Sequence, residues 1–165
     1  MANGYKSVNV QDSQVQLVKN GWYTTAQEGN VTKIYDKFIN NKFNAFTKEA
    51  KSFGFDKRNN WYGFEIKNSN KDEDIFLDLK DILAKNVTCF EFEEGRLVKR
   101  EENGYTTPIE KRGVKSFSIR YKIDSSQKPK IYLLKINSMT TQFAAFSIAD
   151  KETLDREWAW HHFFN

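Results

Sequence analysis

The chain has 165 residues, 39% hydrophobic, 15% aromatic and 29% charged, which is enough apolar material for a globular core and too much for a disordered chain. The single cysteine, Cys89, allows neither an intramolecular disulfide nor a thiolate metal cage, so a reducing compartment is the expected setting. No apolar run approaches the roughly 20 residues that cross a bilayer. The expected location is therefore the cytoplasm, or the host cytoplasm if a phage encodes the chain, unless a leader preceded this sequence. One domain is expected over 1–165, with 1–12 a flexible arm.

Residues 13–27 hold Asn20-Gly21 between two β-favouring runs, which predicts a hairpin because a type I′ turn needs positive φ at both central positions. Asn30 can cap a helix over 31–53, with Val31, Ile34, Phe38, Ala45, Phe46, Ala50 and Phe53 at helical spacing and Asn40-Asn41 as its weak point. Trp61–Lys67 alternates as a strand that points Tyr62, Phe64 and Ile66 to one face. Asp72, Glu73 and Asp74 precede Phe76, Leu79, Ile82 and Leu83, which predicts a shorter second helix, although Ile75, Leu77 and Leu79 also fit a strand. From residue 87 the period is two. Val87–Glu93 and Arg96–Arg100 flank Glu94-Gly95 as a hairpin, and strands follow over 115–123, 131–139 and 143–148. In the first of these Phe117, Ile119, Tyr121 and Ile123 are expected on the core face, with Ser116, Ser118, Arg120 and Lys122 in water. The run 131–136 is apolar on both faces and predicts a central strand covered on both sides. Asp150 can cap a last helix reaching about Phe164.

Short polar turns between successive strands favour an antiparallel meander. The expected fold class is α+β: one antiparallel sheet of about six or seven strands, with the long helix of the N-terminal half and the C-terminal helix packed on it.

Phosphate-cradling glycine motifs are absent, and residues 68–79 lack the glycine and the bidentate glutamate of a calcium loop. No metal site and no cofactor are expected. Charge is segregated: residues 72–94 carry 8 acidic and 2 basic side chains, whereas 96–135 carry 11 basic and 4 acidic. Arg96, Lys99, Arg100, Lys111, Arg112, Lys115, Arg120 and Lys122 form the candidate binding surface on adjacent strands, joined by Glu157, Trp160 and His161 of the last helix. Glu157 and His161, four residues apart, share a helix face and are expected to pair.

Missing active-site ingredients and abundant aromatic and charged side chains favour a non-catalytic binding protein, of the inhibitor, immunity or host-interaction kind. Lys outnumbers Arg 20 to 6, which fits an AT-rich bacterium or phage as the source. The expected partner is another protein with an acidic surface. The alternatives are nucleic-acid binding through the basic strands of 96–130, and an enzyme built on Glu157 and His161.

Overall fold

The computed structural model describes residues 7–11, 16–17, 21–26, 30–46, 50–54, 59–80, 84–137 and 142–164. Twelve strands and two helices follow in the order β1 (Val8–Val10), β2 (Gln16–Leu17), β3 (Gly21–Ala26), α1 (Val31–Ile39), β4 (Asn44–Phe46), β5 (Ala50–Gly54), β6 (Asn59–Asn68), β7 (Ile75–Leu79), β8 (Asn86–Glu93), β9 (Arg96–Asn103), β10 (Ile119–Ile123), β11 (Lys130–Asn137), β12 (Gln142–Asp150) and α2 (Lys151–Phe163).

They form two sheets rather than one. The larger runs β4-β3-β6-β11-β8-β9, with β1 added in parallel to the far end of β6; the smaller runs β10-β7-β12-β2, with β5 on the early part of β12. Apart from β1, every pairing is antiparallel. The sheets pack face to face over Tyr62, Phe64, Ile66, Tyr132 and Leu134 from the larger and Leu77, Leu79, Ile119, Tyr121, Phe146 and Ile148 from the smaller. Each sheet also carries a helix on its outer face. Ile34 and Phe38 of α1 cover Trp61, Phe90, Phe92 and Leu133, and Leu154 of α2 covers Phe76 and Ala149.

This helix-sheet-sheet-helix layering overturns the expected single sheet with a long helix. The helix predicted over 31–53 stops after nine residues. Asn30 accepts from the Thr32 amide as its cap, but Asn41 turns left-handed at φ 57°, a conformation Asn tolerates better than most residues, and the chain then enters β4 and β5. The helix predicted from 72 is a strand. Asn70 Oδ1 accepts from the Asp72 and Glu73 amides to close a turn, and β7 runs between β10 and β12 with all five side chains buried. Ile82 and Leu83 lie outside the described residues.

The strands flanking Asn20-Gly21 do not pair with each other. β2 belongs to the smaller sheet and β3 to the larger, and Asn20 itself lies outside the described residues. The Glu94-Gly95 hairpin forms as predicted, with φ 48° and 80° at its two central residues. β11 lies between β6 and β8 with apolar clusters on both faces. Asp150 caps α2 by accepting from the Thr153 amide and hydroxyl.

The core alternation expected at 115–123 holds only from Ile119 onward. Phe117 precedes the strand and is 72% exposed, whereas Ser118 and Arg120 are buried. The reason lies beside the strand: Ser118 and Arg120 turn toward Asp78 on β7 and Arg120 also toward Asp155 on α2, while Lys122 of the same phase stays exposed.

Candidate functional site

β10 is an edge strand, and α2, packed on β12 and β7, reaches it through the bond between Arg120 and Asp155. Arg120, only 2% exposed, donates from Nε to Asp78 Oδ1 on β7 at 2.8 Å and from Nη1 to Asp155 Oδ1 on α2 at 2.6 Å. Ser118 Oγ donates to the same Asp78 oxygen at 2.7 Å, and Lys151 Nζ donates to Asp155 Oδ2 at 2.6 Å. Burial pushes the Asp78 carboxyl above its ordinary range despite the opposing bonds from Ser118 and Arg120. Burial also acts upward on Asp155, but the bonds from Lys151 and Arg120 outweigh it and hold that carboxyl low.

The loop entering β10 is fixed by another arginine. Arg112 is buried and donates to the carbonyls of Thr107, Gly104 and Ser116 at 3.0, 3.0 and 2.8 Å, so its guanidinium ties three points of the loop together. That loop places Phe117 against Trp158 of α2, ring centroids 6.1 Å apart at 20°. Trp158 stacks in turn on His162 at 4.1 Å. Its indole Nε1 is buried without a hydrogen-bond partner among the described residues.

Between loop and helix lies a cleft of about 300 Å³. Ser118 and Arg120 line it with Lys115, Phe117, Asp155 and Trp158. It combines two rings, a buried guanidinium and exposed ammonium groups, a lining suited to holding a small ligand by stacking and charge-assisted hydrogen bonds.

Of the residues selected from sequence, the structure brings Lys115 and Arg120 into this cleft, and Arg112 holds the loop beside it. Arg96, Lys99 and Arg100 lie on β9, the edge of the larger sheet, where Lys99 pairs with Glu101 and Arg100 with Glu102. Lys111 is exposed in a short 3-10 turn, and Lys122 reaches Asp74 at 3.5 Å. Glu157 pairs with Lys80 on the smaller sheet at 2.5 Å. The His161 side chain lies outside what the structure describes. Trp160 faces solvent and stacks on Phe164 at 4.9 Å. Sequence reasoning passed over Asp78, Asp155, Phe117 and Trp158 as site residues. A lone aspartate in the apolar run Ile75–Leu79 was the available signal that its strand face met a cation.

The two packed sheets define a β-sandwich domain. Residues 22–150 match the family model of 7TMR-DISM extracellular 2, and the chain belongs to that family. No curated protein matches the chain. The family comprises extracellular domains of 7TM receptor-linked proteins, which overturns the reading as a cytoplasmic inhibitor, immunity or phage factor and points to an extracellular or periplasmic location. A lone cysteine misled on compartment because a chain with no second thiol carries no redox signature. Cys89 is buried between the sheets, where burial, then Glu101 and Glu91, push its thiol far above the ordinary range. Among the described residues no helix is long and apolar enough to cross a membrane.

Proposed function

We propose that this chain is a ligand-sensing extracellular domain of a receptor-type protein, and that the cleft between the Phe117 loop and α2 holds the ligand. The observation that carries the reading is the pairing of Phe117, 72% exposed, with a buried guanidinium on the cleft floor, in a member of an extracellular receptor-domain family. An exposed Phe is costly in water and gains by covering a ligand. Lys115 and Arg120 suit an acidic group on that ligand. Arg96, Lys99, Arg100, Lys111 and Lys122 lie outside the cleft and would serve a neighbouring protein with an acidic surface. Because Asp155 and Trp158 belong to α2, an occupied cleft acts directly on how that helix is held.

A thermal-shift screen of small organic acids and their neutral amides tests the reading. Compounds that raise the melting temperature of the parent should lose that effect in Phe117→Ala, with the acids also losing it in Lys115→Ala. Shifts that survive both substitutions would place the ligand elsewhere.

A further inference from the structure

The cleft uses only the inner face of α2. On a wheel of 100° per residue Leu154 and Trp158 lie on one side, while Arg156, Trp160, Phe163 and Phe164 fall within an arc of about 100° on the other, from which the Phe163 ring turns back to meet the edge of Trp158 at 6.4 Å. Trp160 is 60% exposed, Phe163 74% and Phe164 68%. Trp160 and Phe164 stack on each other with centroids 4.9 Å apart, and Phe163 lies at the same end of the helix, so three mostly exposed rings share one tip of the fold.

We propose that this outer face of α2 docks on a lipid bilayer, with Trp160, Phe163 and Phe164 entering the interfacial layer and Arg156 meeting the headgroups. Membership in a family of extracellular domains of 7TM receptor-linked proteins puts a membrane within reach of the domain. Trp and Phe beside a cation are the side chains that settle at the headgroup boundary, where rings lose water and the cation keeps polar contacts. Arg156 is free for that role. It takes part in none of the ion pairs among the described residues, whereas Asp155 and Glu157 beside it are engaged inward with Arg120 and Lys80, and Lys151 pairs with Asp155 along the helix. The size of the patch argues against a second copy of the chain. Three rings of this exposure offer roughly 400 Å², about half of the roughly 800 Å² each partner contributes to a stable protein interface. A bilayer needs no matching surface. The proposal stands on the exposed face and the family and is independent of any ligand in the cleft.

Flotation of the purified chain with vesicles of phosphatidylcholine, and with the same vesicles doped with phosphatidylglycerol, tests it. The chain should float with both and more strongly with the anionic ones. The triple variant Trp160→Ser, Phe163→Ser, Phe164→Ser should partition about tenfold more weakly or worse, while its unfolding midpoint stays that of the parent. Arg156→Gln should lose only the preference for anionic vesicles. If the triple variant fails to fold, Trp160→Ser alone serves the same comparison. The proposal is overturned if the parent stays in the soluble fraction with both vesicles, if the variant floats as well as the parent, or if sedimentation shows that the three rings hold a dimer.

Discussion

Replacing Arg120 by Met removes a buried cation and leaves two carboxylates behind, with consequences that depend on pH. The Met side chain fills the space of the aliphatic stem but makes neither the 2.8 Å bond to Asp78 nor the 2.6 Å bond to Asp155. Asp78, 5% exposed, would keep only its bond from Ser118. Stripping one partner from a buried ion pair costs about 3–5 kcal/mol at neutral pH, with protonation of Asp78 setting the ceiling. In the parent, burial already holds the folded Asp78 carboxyl above its unfolded value, and loss of Arg120 raises it further. A carboxyl raised on folding is best tolerated below its unfolded pKa, and the stability it allows is lost as pH rises through the folded value. Asp155 works in the other sense. Its carboxyl is held low against the pull of burial, so it contributes stability above its unfolded pKa, and that contribution shrinks when Arg120 no longer donates to it. Both effects make the variant's deficit larger at neutral pH than in acid. Urea unfolding at about pH 4 and about pH 7 measures the difference. The double variant Asp78→Leu, Arg120→Met should recover most of the loss, because apolar groups of similar volume need no partner. Equal deficits at the two pH values, or a double variant as unstable as the single one, would refute the reasoning.

Gly63→Ala should destabilise by about 1–3 kcal/mol in urea unfolding, because a Cβ there would lie 2.2 Å from Phe38 Cε2 on α1; Phe38→Leu should relieve part of the loss, and a neutral Gly63→Ala would show that α1 does not rest on β6. Ile119→Ala, at a position 1% exposed between the sheets, should cost about 2–5 kcal/mol, and an unchanged denaturant midpoint would move Ile119 out of the core. Lys122→Glu should change stability by no more than about 0.5 kcal/mol, since its partner Asp74 is mostly exposed; a loss comparable to that of Arg120→Met would mean that α2 covers the strand further than the structure shows.

Local signals with a steric or hydrogen-bonding cause were legible in the sequence. Asn30 and Asp150 stand where a helix needs an acceptor for its first amides, and Glu94-Gly95 stands where two strands need positive φ. What the sequence did not disclose was which sheet each strand joins. β2 and β3 read as a hairpin because adjacency and an Asn-Gly turn are local, whereas their actual partners, β12 and β6, lie far along the chain. The helix predicted over 31–53 failed for a similar reason. Apolar spacing from Val31 to Phe38 is helical, but Ala45, Phe46, Ala50 and Phe53 continue the spacing only numerically, past an Asn41 that ends the helix. In β7 the run Ile-Phe-Leu-Asp-Leu has no polar phase, since a strand buried on both faces erases the alternation on which recognition depends.

Covering helices also explain why the basic residues divided as they did. Period-two alternation gives two phases of a strand without saying that either meets water, and Arg120 and Lys122 share a phase while lying on opposite sides of that distinction. Lys122 stays exposed; Arg120, two residues earlier, is buried and bonded to Asp155 of α2. The same helix that hides Arg120 completes the cleft. The family match ends at 150, where α2 begins, so Ser118, Arg120 and Phe117 belong to the matched stretch, whereas Lys151, Asp155 and Trp158 do not. The sandwich thus supplies a floor that holds a buried positive charge, and the helix supplies both the carboxylate that partly neutralises it and the ring that faces Phe117. A ligand acid entering the cleft would compete with Asp155 for Arg120 and so loosen the contact that pins α2 to the sheet. Under the proposed function, ligand recognition and the position of the helix would then both depend on one guanidinium, the one that bonds Asp78 and Asp155.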